Sequence, residues 1–125
     1  PEPQRTLLEN RILAQWIARP GESMVLVRGL PLEKSTLSPI RNARIFNHLA
    51  TSELCQELAN ARAVLCRSGY SSIMDLLPLE KKCFMVATPG QTEQEYLARF
   101  LAAQGRITAI DQNQLLLTDL LAAIQ

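Results

Sequence analysis

A chain of 125 residues, 47% hydrophobic and 20% charged, is long enough to bury a core of its own and has the make-up of an ordinary globular domain. Lys+Arg 13 against Asp+Glu 12 leaves a formal charge of +1, which excludes a basic field for nucleic-acid phosphates or for an anionic membrane surface. The apolar runs at 24–27 and 115–117 are far too short to span a bilayer, and no charged-then-apolar leader follows Pro1, so neither a transmembrane helix nor a signal peptide is expected.

Thr6, with Glu9 three residues on, reads as a capping box that opens a helix through about residue 18, with Leu7, Leu8, Ile12, Leu13 and Ile17 near helical spacing. Arg19-Pro20-Gly21 stops it. The short apolar run 24–27 has the look of a strand covered on both faces. Residues 30–42, with two prolines, two serines and a threonine, read as a loop. A second, weakly apolar strand over 43–49 suits a position near an edge. Thr51 or Ser52 then caps a helix through about Asn60, and 63–66 is a third strand. A short helix over 71–77 is broken by Pro78, and 82–87 is a fourth strand closed by Thr88-Pro89-Gly90. Thr92 caps a long helix over 93–104 with Tyr96, Leu97, Phe100 and Leu101 on one face, ended by Gly105. A fifth strand over 106–110 and a last helix over 114–124 complete the order.

Strands alternating with helices predict a doubly wound α/β fold of parallel strands, five of them in one sheet with helices on both faces. No strand precedes the first helix, so the chain reads as a single domain over 1–125 cut at a domain junction, lacking the strand that lies mid-sheet in this winding. Ligands in such sheets bind beyond the carboxyl ends of the strands, which points to residues 28–31, 47–52, 67–72 and 88–94. Cys55, Cys66 and Cys83 form no CxxC pair, and His48 is the single histidine. A metal site is therefore not expected, and the cysteines read as reduced, buried thiols in a reducing compartment such as the cytoplasm.

Two turns could carry chemistry. In Cys66-Arg67-Ser68-Gly69-Tyr70-Ser71-Ser72, Gly69 lets the backbone turn sharply and approach a ligand, and the free N–H groups opening the next helix, with the Ser71 and Ser72 hydroxyls, form a ready anion site. Asp75, one helical turn beyond Ser71, could accept two hydrogen bonds from a ribose diol. The structural alternative is an ordinary Ser-Gly helix cap. In Thr88-Pro89-Gly90-Gln91-Thr92-Glu93-Gln94-Glu95, plain capping accounts for Thr92 and Glu95 but leaves Gln91 and Gln94 unexplained. Amides and carboxylates are what sugar hydroxyls need, because each hydroxyl both donates and accepts. His48 has no partner in the local sequence that would make it a base, and Trp16 and Phe100 read as core.

Arg67-Ser68-Gly69 with Ser71, Ser72 and Asp75, followed by Thr88-Pro89-Gly90-Gln91-Thr92-Glu93-Gln94-Glu95-Tyr96, resembles the C-terminal domain of the family 28 glycosyltransferases of GT-B architecture. The same motifs are similar to those of the family's synthases that add N-acetylglucosamine to a peptidoglycan precursor lipid. The resemblance implies two Rossmann-like domains, the second holding a UDP-sugar donor, with the acceptor site in an N-terminal domain absent from this chain. It implies diphosphate contacts at Gln4, Ser68, Gly69, Tyr70, Ser71 and Ser72, with Gln4 in a remnant of a Gly-rich turn. It places Asp75 on the ribose, His48 and Leu49 on the base, and Gln91, Gln94 and Glu95 on the sugar. It implies no catalytic residue in this chain, no cofactor and no metal, so the chain alone is expected to be inactive. The intact enzyme would be cytoplasmic, with peripheral membrane association allowed. Asp75 stands where the family has a Glu, and Glu95 where it has a Gln. A UDP-sugar hydrolase or epimerase half-domain, or a non-catalytic nucleotide-sugar-binding module, are the alternatives.

Overall fold

The computed structural model describes residues 2–17 and 21–124, the side chains at 70–72 excepted. The chain divides into two compact units, Pro1–Gln15 with Ala61–Gln125, and Trp16–Asn60. The larger holds α1 (Gln4–Gln15), β3 (Ala63–Cys66), α3 (Tyr70–Leu76), β4 (Lys82–Met85), α4 (Thr92–Ala103), β5 (Thr108–Ala109) and α5 (Leu117–Ile124). The smaller holds β1 (Met24–Val27), β2 (Ala43–Phe46) and α2 (Thr51–Asn60).

The five strands among the described residues run parallel to their neighbours, so the fold is α/β and Rossmann-like, but the pairing corrects the expectation of one sheet. β1 pairs with β2, from Met24 opposite Ala43 to Val27 opposite Phe46. Separately, β4 lies between β3 and β5, with Val64 opposite Cys83 and Phe84 opposite Thr108.

The strands β2, β4 and β5 are shorter than their apolar runs, since the ladder ends where the chain leaves for the next helix. β4 still carries the core of the larger unit. Phe84, Met85 and Val86 are 3%, 0% and 0% exposed, packed in the same core as Ala98, Leu101, Leu115, Leu117 and Leu120. A run apolar on both faces belongs on a central strand, and β4 is central. α1 is tied to the segment before α5 by polar bonds that periodicity does not reveal. Arg11 donates to the Leu115 and Asn113 carbonyls, and the Gln15 amide donates to Leu115 O at 2.7 Å and accepts from Leu117 N–H at 2.7 Å.

The helix ends differ from expectation in instructive ways. The cap of α1 is Glu2, whose carboxylate accepts from Thr6 N–H and from the Thr6 hydroxyl at 2.7 Å, while Glu9 pairs with Arg5 at 2.9 Å. The Thr6–Glu9 capping box therefore does not form. Gln91, not Thr92, is the N-cap of α4, with no side-chain cap bond. Gly105 closes α4 at φ +74°, with its own N–H on Ala102 O and Arg106 N–H on Leu101 O, a left-handed end that favours glycine.

α4 buries Ala98 and Leu101, which leaves Tyr96 and Phe100 at 59% and 47% exposure, stacked on each other at 6.0 Å. Phe100 is thus not a core residue. Trp16, in the smaller unit, is half-buried and donates its indole N–H to Arg41 O. Of the three thiols only Cys83 is buried; Cys66 is intermediate and Cys55 exposed. Contact with Cys83 and burial push the Cys66 thiol up. Among the described residues no helix is long and apolar enough to cross a membrane.

Candidate functional site

The turns after β3 and β4 meet in the larger unit, as the carboxyl-edge rule requires. Between them lies a cavity of about 220 Å³ lined by Ser68, Gly69, Gln91, Glu93, Gln94 and Leu97. Gly69 is the N-cap of α3 in extended backbone, φ −74° and ψ 151°, so the turn itself does not demand a glycine. What glycine does there is leave space, because a Cβ built on it would meet nothing within 4 Å.

The walls are cross-braced. Ser68 is fully buried and gives its hydroxyl proton to Gln94 O at 2.8 Å, joining the turn after β3 to the first turn of α4. The Gln94 carboxamide accepts from Thr88 N–H at 2.8 Å and donates from Nε2 to Gln91 Oε1 at 2.9 Å. Gln91 N–H in turn donates to Thr88 O, closing the turn. Thr88 is 2% exposed, and its hydroxyl has no hydrogen-bond partner among the described residues.

A second polar cluster lies at the same strand ends. The Arg67 guanidinium donates to Val86 O, Ala87 O and Gln4 O, and burial lowers its pKa. Gln4 opens α1 and accepts at Oε1 from the buried Gln112 amide at 3.1 Å. Arg67 thereby fastens β3 to β4 and to α1 through neutral carbonyls. The anion at the start of α1 is the protein's own: Glu2 is held at a pKa of about 2 by the Thr6 hydroxyl and by Arg5.

The family model described as the glycosyltransferase family 28 C-terminal domain matches residues 41–125. The chain belongs to that family. Comparison with the curated proteins and with the solved structures gave no match. A family 28 C-terminal domain is the sugar-donor-binding part of a glycosyltransferase.

In this family 28 domain the residues expected at the donor are not all in one place. Ser68, Gly69, Gln91 and Gln94 line the cavity together. The Ser68 hydroxyl donates to Gln94 O, and the Gln94 amide accepts from Thr88 N–H and donates to Gln91. Gln4 is bonded to Gln112 and Arg67 in the second cluster. The hydroxyl roles expected of Tyr70, Ser71 and Ser72 lie outside the described residues. Asp75 is exposed on α3. Glu95 is half-buried but does not line the cavity; Glu93 does. The reason is helical phase, because successive residues of α4 point about 100° apart and the wall takes Glu93, Gln94 and Leu97.

His48 and Leu49 follow β2 in the smaller unit, His48 exposed and Leu49 buried. Their neighbour Asn47 organises that edge. It accepts from Arg28 at 2.9 Å and donates to the Glu33 and Ser35 carbonyls, and its own carbonyl accepts from Leu30 N–H. In the larger unit, Arg67, Glu93 and Leu97 are site-edge residues to which the sequence reading gave no ligand role. Their polarity at strand ends was visible, but their bonds depend on segments distant in the chain. Among the described residues no group of three or more His, Cys, Asp or Glu is placed to hold a metal.

Proposed function

We propose that this domain holds a UDP-sugar at the carboxyl ends of its strands, and that the full-length protein transfers the sugar, a hexose or N-acetylhexosamine, to an acceptor held by an N-terminal domain. The observation that carries the reading is the cavity between the turns after β3 and β4, in a chain that belongs to a donor-binding family. Its size of about 220 Å³ falls below the roughly 300–1,000 Å³ of sites for whole drug-sized ligands, so it suits one part of the donor. Gly69, with the N–H groups that open α3, offers donors to the diphosphate, and the exposed Asp75 further along α3 offers acceptors to the ribose hydroxyls. Glu93 and Gln91 supply the paired acceptor and donor chemistry that a sugar ring needs.

Titration calorimetry on the full-length protein with UDP and UDP-N-acetylglucosamine tests the reading. Asp75→Ala should weaken UDP by about 1.5–3 kcal/mol, the range for a hydrogen bond to a charged group. Equal UDP affinity in that variant removes Asp75 from the ribose, and no heat from any UDP-sugar sinks the proposal.

A further inference from the structure

The larger unit has a cavity at the amino ends of its strands, away from the edge where an α/β sheet ordinarily takes its ligands. It encloses about 240 Å³ between the end of α3, the turn that leads into β4 and the residue that leads into β5. Leu76 and Cys83, each 7% exposed, line it together with Leu77, so its inner wall is apolar. Glu80, Lys81 and Arg106 line it as well and give it a charged rim. Glu80 and Arg106 share the cavity without forming an ion pair, and neither side chain has a hydrogen-bond partner among the described residues. Opposite charges held apart across one space leave room for a ligand that carries both.

The backbone at Glu80 adds a second, independent observation. Glu80 closes the turn after α3 in a left-handed conformation, φ 55° and ψ 27°, with its N–H on Leu77 O. Glycine adopts that conformation freely, whereas in any other residue the Cβ crowds the carbonyl that follows. Closing the turn therefore needs no acid, and a strained, exposed carboxylate beside a cavity points to a use beyond the turn.

We infer that this cavity binds a small zwitterion, a free α-amino acid with an apolar side chain. The Arg106 guanidinium takes its carboxylate through paired N–H donors, the Glu80 carboxylate takes its ammonium, and Leu76, Leu77 and Cys83 receive its side chain. A simple anion would meet Glu80, and a simple cation would meet Arg106 and Lys81, so a ligand with both charges suits the rim best. The volume lies below the roughly 300–1,000 Å³ of sites for drug-sized ligands, in keeping with a molecule as small as an amino acid. This site is independent of the donor-binding reading.

The test uses saturation-transfer NMR on the full-length protein with L-leucine, L-methionine and L-phenylalanine as probes. For the tightest of them, the analogue without the ammonium and the methyl ester should each bind about tenfold more weakly, since each loses a hydrogen bond between charged groups. Glu80→Gly relieves the backbone strain, so it should keep or raise the melting temperature while weakening the amino acid about tenfold. Arg106→Gln should weaken it by a similar factor. Saturating amino acid should slow the alkylation of Cys83 severalfold and leave Cys55 unaffected, because Cys83 lines the cavity and Cys55 belongs to the smaller unit. No binding by any of the three probes overturns the inference, as does unchanged affinity in either variant. An analogue that binds as tightly as its parent overturns the zwitterion, and competition by UDP overturns the location.

Discussion

Replacing Ser68 with alanine separates two roles that predict different measurements. Ser68 is 0% exposed and its hydroxyl lies 2.8 Å from Gln94 O, so the substitution deletes one buried, neutral hydrogen bond. Such a bond contributes about 0.5–1.5 kcal/mol, and the single atom removed adds almost no cavity. For a chain of this size that is a fall of roughly 2–8 °C in melting temperature, or a proportionate drop in the urea midpoint at constant slope. A hydroxyl in direct contact with a diphosphate would instead contribute about 1.5–3 kcal/mol to binding, a loss of roughly 10- to 150-fold in UDP affinity. Because the proton of Ser68 is already given to Gln94 O, the expected result is lower stability with UDP affinity changed by less than about threefold. Urea unfolding and calorimetry on the same preparation read both quantities. Unchanged stability with a tenfold loss of UDP affinity would show that the hydroxyl serves the ligand and that the bracing argument is wrong.

Thr88→Val removes a buried hydroxyl that has no partner among the described residues and keeps the shape of the side chain, so it should stabilise the fold by about 1 kcal/mol. A destabilised variant in urea unfolding would mean that the hydroxyl is satisfied. Glu2 has a folded-state pKa near 2, below its ordinary 4.5, so its contribution at the start of α1 is whole above pH 4.5 and is lost as pH falls toward 2. A carboxyl NMR titration with a midpoint near 4.5 would refute the bonds to Thr6 and Arg5. Iodoacetamide on the native protein should add one label, at Cys55, well before Cys66 or Cys83, since Cys55 alone is exposed and the Cys66 thiol is held protonated. Mass spectrometry finding Cys83 labelled first would contradict its burial.

Local pattern determined a great deal of this protein. Apolar runs of four residues between helical periodicities placed β1 and β3 at their observed bounds, and the order of elements implied parallel pairing. Residues 66–96 carried the family resemblance because the turns at the strand ends are contiguous in the chain, and the family match bears that out. The roles of single side chains were not legible in the same way. Whether a helix shows Phe100 or Ala98 to the core depends on what packs against it, and α4 turned its aromatic pair outward. Gln94 and Glu95 looked equivalent as neighbours in sequence, but the phase of α4 sent them to different surroundings. Nothing near Ser68 in the sequence indicated that its hydroxyl would donate to Gln94 O, 26 residues away in the first turn of α4. The division of the strands into two ladders is likewise a matter of pairing between distant segments. Propensity and spacing act through near neighbours along the chain, whereas the partner of a hydroxyl or an amide is chosen in three dimensions, by whichever segment the fold brings within 3 Å.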